Sequence, residues 1–189
     1  MWKFISKIIF KVSGWKIEGD SHIGLKKAVV IAAPHTSNWD FIYARAAFFL
    51  LGLPVKYTIK REWTDNKVFG GLLKRLGAIG IDRRPKGMRD DQKLSMVEAM
   101  ANLYKENDEM MIMITPEGTR KYVEKWKSGF YRLAEMAEVP IALGYLDFER
   151  KRAGIHSVYH PTGNYDQDLE EIMSFYRTVK GKHPELGVK

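Results

Sequence analysis

The 189-residue sequence predicts a single α/β domain with a largely parallel sheet flanked by helices, preceded by an amphipathic N-terminal helix. Short apolar runs rich in Val and Ile alternate with stretches of helical periodicity, the pattern of strands joined by helical crossovers. No internal repeat, low-complexity tract or Pro/Gly-rich linker divides the chain. The length suits one domain with a sizeable core.

The elements follow in order. Residues 1–13 read as a helix, with Trp2, Phe4, Ile5, Ile8, Ile9 and Val12 on one broad arc and Lys3, Lys7 and Lys11 opposite. Phe10 breaks the pattern by falling near the lysines. Such a helix fits a lipid headgroup layer, and it equally fits a terminal helix packed on its own domain. Residues 27–33 read as a buried strand, and 40–51 as a helix stopped by Gly52 and Pro54. Strands are expected at 55–60, 78–83, 110–115, 140–148 and 155–159. Helices are expected at 66–76, where Gly70 and Gly71 weaken the pattern, and at 90–104, 128–137 and 167–179.

Composition excludes several classes. At 45% hydrophobic and 29% charged, with seven prolines, the chain is neither disordered nor membrane-embedded throughout. The absence of cysteine removes disulfides, thiol catalysis and cysteine-ligated zinc. The net charge of +8 favours an acidic partner: nucleic acid, anionic lipid, or a phosphorylated or carboxylated substrate. Nucleic acid is disfavoured, because no recognition motif is present and the aromatics are not interleaved with basic residues as stacking platforms. The most apolar stretch, 46–54, is far shorter than the ~20 residues of a spanning helix. Lys7 and Lys11 interrupt the N-terminal apolar run and no small-residue cleavage site follows, so a cytoplasmic location is expected. The expected organisation is a membrane-surface helix at 1–13 and a second unit at 14–189.

The candidate chemistry begins at the end of the first buried strand, in Ala33-Pro34-His35-Thr36-Ser37-Asn38-Trp39-Asp40. A histidine on a strand-to-helix turn stands where α/β proteins place ligand-handling groups. It can accept a hydroxyl proton near neutral pH, and a carboxylate on its other nitrogen would fix the tautomer. Asp40 is placed for that role. It also fits a capping box with Ser37, which would serve only the helix. A second feature is Ile114-Thr115-Pro116-Glu117-Gly118-Thr119-Arg120, where a strand runs into a loop holding a carboxylate, a hydroxyl and a guanidinium. Arg120 can bond a phosphate or carboxylate bidentately; the loop also fits a plain turn with surface charges. Gly77-Ala78-Ile79-Gly80-Ile81-Asp82-Arg83-Arg84 and the pair Lys60-Arg61 again deliver cations at strand ends. Ends of parallel strands share one edge, so an anion pocket beside a general base is the economical reading, with exposed salt bridges as the alternative. The absence of a Gly-x-Ser-x-Gly elbow argues against a Ser-His-Asp hydrolase.

Taken together, these blocks resemble the glycerolipid acyltransferase family, whose best-known members acylate lysophosphatidic acid (1-acylglycerol-3-phosphate). The family's His-x4-Asp matches His35 and Asp40, and its Gly-x-Ile-x-Ile-Asp-Arg matches the seven residues from Gly77 to Arg83. Its Pro-Glu-Gly-Thr-Arg matches the run from Pro116 to Arg120, its Val-Pro-Ile matches Val139-Pro140-Ile141, and a Lys-x-Gly matches Lys127-Ser128-Gly129. Four blocks in the right order are a far more specific signal than His-x4-Asp alone. The chain departs from the pattern at Thr115 and Lys121, where the family usually carries Phe and Ser, and its loop after His35 is bulkier. The resemblance implies acyl transfer from a coenzyme A or acyl carrier protein thioester, as co-substrate, to the hydroxyl of a lysophospholipid-like acceptor. It makes His35 the base and Asp40 its orienter. It assigns the acceptor phosphate to Lys60, Arg83 and Arg120, with Glu117, Gly118 and Thr119 shaping the acceptor site. No metal and no bound cofactor are implied. An anionic membrane surface is the expected partner, and the inner face of the cell membrane the expected location. Phe48, Phe49, Leu50 and Leu51 are candidates to line an acyl slot. A non-catalytic lipid-binding protein would use the same basic pocket without needing His35.

Overall fold

A computed structural model describes residues 1–20, 22–81 and 96–189. Among the described residues seven strands form one sheet, in the order β1-β7-β6-β2-β5-β3-β4. They are β1 (Lys16–Glu18), β2 (Lys27–Ala33), β3 (Val55–Lys60), β4 (Ala78–Ile81), β5 (Met110–Ile114), β6 (Ile141–Asp147) and β7 (Arg152–Tyr159). All neighbours run parallel except β6 and β7. The helices are α1 (Trp2–Ser13), α2 (Trp39–Leu51), α3 (Arg61–Thr64), α4 (Gly70–Arg75), α5 (Met96–Glu106), α6 (Gly129–Ala137) and α7 (Tyr165–Tyr176). The largely parallel α/β fold read from the sequence is the fold observed.

Strand β2 explains the two-layer cover. Its residues alternate between faces, as pleating requires, and both sets are buried. Val29 and Ile31 face a core built with Tyr104, Phe130, Leu133 and Tyr176 from α5, α6 and α7. Ala28 and Val30 face a second core with Phe10, Ala44, Ala47 and Phe48 from α1 and α2. The Tyr104 hydroxyl donates to the Ala28 carbonyl at 2.8 Å and accepts from the Ile112 amide at 3.1 Å, which ties α5 to two adjacent strands. Arg45 is buried and its Nη1 donates to the Val55 carbonyl at 2.7 Å, which fixes α2 against β3. Gly52 ends α2 in a left-handed conformation, as the sequence suggests.

One expectation is corrected and one strand is added. The helix read at 66–76 is confined to α4, Gly70–Arg75. Asn66 Oδ1 accepts the amides of Val68 and Phe69 and the Asn66 carbonyl accepts the Gly70 amide, so residues 67–69 form a turn capped by Asn66 that leads into α4. The short strand β1, which pairs with β7, carried no strand signal in its three residues.

Helix α1 has the predicted extent, but only one edge of the apolar arc, Trp2 and Ile9, packs on the domain. Ser6 and Phe10 face α2, while Phe4 is 68% and Val12 83% exposed, with Ile5 and Ile8 also outward. Phe10, which breaks the sequence pattern, is the most buried apolar residue of the helix, Ile9 packs against the same core, and the ring of Trp2 stacks on Phe49. Lys3, Lys7 and Lys11 are exposed along the flank of that outward apolar row. Among the described residues no helix is long and apolar enough to cross a membrane.

Candidate active site

Strands β2 and β5 are neighbours, with Ile31 opposite Ile114. Their carboxyl ends therefore release two loops side by side: 34–38, leading into α2, and 115–120, leading toward α6. Because both strands are parallel and central, these loops meet at the edge of the sheet where α/β proteins bind ligands.

In the first loop His35 Nδ1 lies 3.0 Å from Asp40 Oδ2. The same oxygen accepts the amides of Thr36 and Ser37 at 2.8 Å each. Asp40 thus does both things the sequence allowed: it closes the turn at the start of α2 and holds the imidazole. The proposed hydroxyl half of the capping box differs, since Ser37 Oγ accepts only from the Trp39 amide, at 3.1 Å, and Asn38 takes the N-cap position. A proton on Nδ1 satisfies the carboxylate and leaves Nε2 as the basic nitrogen. Asp40 is 5% exposed, whereas His35 is half-buried and reaches the cavity in front of the loop.

In the second loop Glu117 does not face the cavity. It is 6% exposed, and its Oε1 accepts the backbone amide of His35 at 2.9 Å. Burial pushes its carboxyl above the ordinary carboxylate range, and the His35 N–H offsets this only in part. Gly118 turns the chain with φ of 64°, and a Cβ there would lie 2.5 Å from Lys127 Nζ. Glycine lets the Lys127 side chain pass over the loop. Thr119 and Arg120 are exposed, and Arg120 and Lys127 both line the cavity. Lys127 is a cation to which the sequence reading gave no role; its signal was its place in Lys127-Ser128-Gly129.

Of the other predicted residues, Lys60 ends β3 exposed and does not line the cavity, although Thr58 and Ile59 beside it do. Arg83 lies outside the described residues. The cavity has a volume of about 1030 Å³ and runs from His35 between α2 and the sheet. On α2, Ala44, Ala47, Phe48 and Leu51 line it, and small residues of the sheet, Ala32 and Gly144, lie opposite. Phe49 and Leu50 do not line it; Phe49 carries the Trp2 ring and the Arg45 guanidinium instead. The site therefore joins an imidazole held by a carboxylate, two cations and an apolar slot.

The family model described as Acyltransferase matches residues 14–142. The chain belongs to this acyltransferase family. Two curated proteins, both named 1-acyl-sn-glycerol-3-phosphate acyltransferase, are similar to it. One, from Streptococcus pneumoniae, is 28% identical over 67% of this chain and 47% of its own length. The other, from Bacillus subtilis, is 27% identical over 75% of this chain and 68% of its own. This acyltransferase-family chain thus spans about half the length of the first relative and about two thirds of the second. Among solved structures, the 1-acyl-sn-glycerophosphate (LPA) acyltransferase PlsC from Thermotoga maritima shares the fold, with a TM-score of 0.62 at 15% identity, over 92% of this chain and 74% of that one.

Proposed function

We propose that the protein transfers a fatty acyl group from a coenzyme A or acyl carrier protein thioester to the hydroxyl of a lysophospholipid-like acceptor, at an anionic membrane surface. The observation that carries this reading is the His35–Asp40 pair, 3.0 Å apart, at the mouth of an apolar cavity rimmed by Arg120 and Lys127. His35 Nε2 takes the acceptor hydroxyl proton as that oxygen attacks the thioester carbonyl. Asp40 stabilises the imidazolium that forms. Collapse of the tetrahedral species breaks the C–S bond, and the departing thiolate takes the proton back from His35. The thioester is already activated, so no acyl-enzyme is required. Arg120 and Lys127 supply charge for the acceptor phosphate, and the slot under α2 receives an acyl chain.

The relatives' names point to a 1-acylglycerol-3-phosphate acceptor, and the basic rim fits a phosphate. The outward apolar row of α1, flanked by three lysines, supports peripheral attachment of residues 1–13 ahead of the acyltransferase unit at 14–189. Each lysine near an anionic bilayer adds about 1 kcal/mol, fading with salt, while apolar burial persists.

The test presents lysophosphatidic acid with long-chain acyl-CoA or acyl carrier protein, in anionic liposomes and in detergent, and reads product by mass spectrometry. His35→Ala is expected to lower turnover by about two to four orders of magnitude in both media with the fold kept. Replacing Phe4 and Ile8 by Ser is expected to reduce liposome sedimentation and liposome activity while sparing activity in detergent. A folded His35→Ala protein retaining more than about a tenth of the rate would exclude His35 as the base. Tight lipid binding without turnover by the parent protein would favour a lipid-binding function instead.

A further inference from the structure

The Thr36 hydroxyl oxygen does not face the cavity's ligand space; it accepts the backbone amide of His183 at 3.2 Å. That amide belongs to a segment following α7 that crosses behind the His35 loop. The Tyr176 hydroxyl anchors the end of α7 to the Gly144 carbonyl at 3.0 Å. The Lys180 carbonyl then accepts from the Phe148 amide at 2.8 Å. Lys182 Nζ sits 5.8 Å from the ring centres of both Trp39 and Phe148. Between these anchors, Gly181 lies so close to the loop that a Cβ would stand 2.8 Å from Thr36 Oγ1, 2.9 Å from Thr36 Cγ2 and 3.2 Å from Pro34 Cγ. Thr36 is 4% exposed, so neither methyl nor hydroxyl can swing away. This segment lies beyond the family match, which ends at residue 142.

We propose that residues 180–183 are a positioning strap for the catalytic loop, acting through Thr36 on the Asp40–His35 pair. The connection is short. His183 N–H holds the Thr36 side chain, the Thr36 amide donates to Asp40 Oδ2 at 2.8 Å, and that oxygen meets His35 Nδ1. On the opposite side Glu117 holds the His35 amide. The loop is thus clamped from two directions by parts of the chain far apart in sequence. Rates of positioned proton transfer fall steeply with small displacements, so the strap contributes to kcat without touching substrate. The catalytic part of this proposal rests on His35 being the base.

The test compares the full-length parent with Gly181→Ala, which inserts the crowding Cβ. Expected is a fall in kcat of about tenfold with donor and acceptor KM within about twofold, and a displaced His35 Nδ1–H resonance in the proton NMR spectrum. Adding Thr36→Ser removes Cγ2, one of the two crowded Thr36 atoms, keeps the acceptor oxygen, and is expected to restore part of the rate and to move the resonance part of the way back. If Gly181→Ala fails to fold, Thr36→Val keeps the shape, removes the acceptor, and carries the same two expectations. Parent-like kcat and an unmoved His35 resonance in whichever variant folds would overturn the strap. So would a loss of rate with an unmoved resonance and no rescue by Thr36→Ser. The NMR arm needs no turnover, so a failed assignment of His35 as base, seen as an active His35→Ala enzyme, is distinguishable from a failed strap.

Discussion

The two loops that meet at the carboxyl edge of the sheet are built on opposite principles. The loop after β2 is bonded inward. Asp40 Oδ2 collects His35, Thr36 and Ser37; Glu117 takes the His35 amide; His183 takes Thr36. The loop after β5 sends one carboxylate inward and leaves Thr119 and Arg120 exposed, with Lys127 crossing Gly118 above them. A proton-transferring group gains from being immobile, because its pose must match the reacting hydroxyl. A cation that receives a mobile headgroup gains from reach. Under the proposed function, that division accounts for one loop crowded with donors to a single oxygen and another that carries unburied charge.

Breaking the inward loop is expected to have the larger consequence. Asp40→Asn removes the charge that steadies an imidazolium and weakens three hydrogen bonds at once. Turnover is expected to fall by about two orders of magnitude or more, in kcat rather than KM, with a circular dichroism spectrum like the parent's. If instead the acceptor KM rose and kcat held, Asp40 would belong to binding and the contrast between the loops would collapse.

Breaking the outward loop is expected to act on binding. Arg120→Ala is expected to reduce kcat/KM for a phosphate-bearing acceptor by about 1.5 to 3 kcal/mol, the range of a charge-assisted hydrogen bond. Donor KM is expected to hold. Steady-state kinetics varying each substrate separately check this; a raised donor KM with unchanged acceptor KM would move Arg120 to the donor side.

The sheet and most helices were legible because buried parallel strands are continuous apolar runs and the intervening helices carry clear stops. The His35–Asp40 contact was legible because it is local: five residues across one turn fix the geometry. Three features were not. Glu117 reads as a loop carboxylate, and only the pairing of β2 with β5 turns it toward the His35 amide, 82 positions away. The segment around Gly181 has no motif, and its meaning comes from lying against Thr36 after α7 has folded back. On α1 the periodicity predicts the helix, but which part of the arc packs is decided by α2, whose aromatic side chains accept Phe10 and Trp2 and leave Phe4, Ile8 and Val12 outward.

The smallest expected effect concerns the inward member of the outward loop. Burial raises the Glu117 carboxyl above its ordinary value of 4.5, and Glu117 Oε2 is buried without a hydrogen-bonding partner among the described residues. A carboxyl whose folded value is raised binds its proton more tightly in the native state than in the unfolded chain. Its contribution to stability is therefore complete below the ordinary value and is lost as pH rises through the folded value. Glu117→Gln keeps an acceptor oxygen for the His35 amide and cannot ionise. The variant is expected to keep turnover within about tenfold of the parent, since the His35 backbone remains tethered. The difference in melting temperature, variant minus parent, is expected to grow from pH 4.5 upward and then level off. The slope is the readout, because a constant offset reflects only how well the amide fits. A difference that stays flat across this interval, or shrinks, would mean that Glu117 is ionised at least as readily in the folded protein as in the unfolded chain, and that burial does not hold its proton.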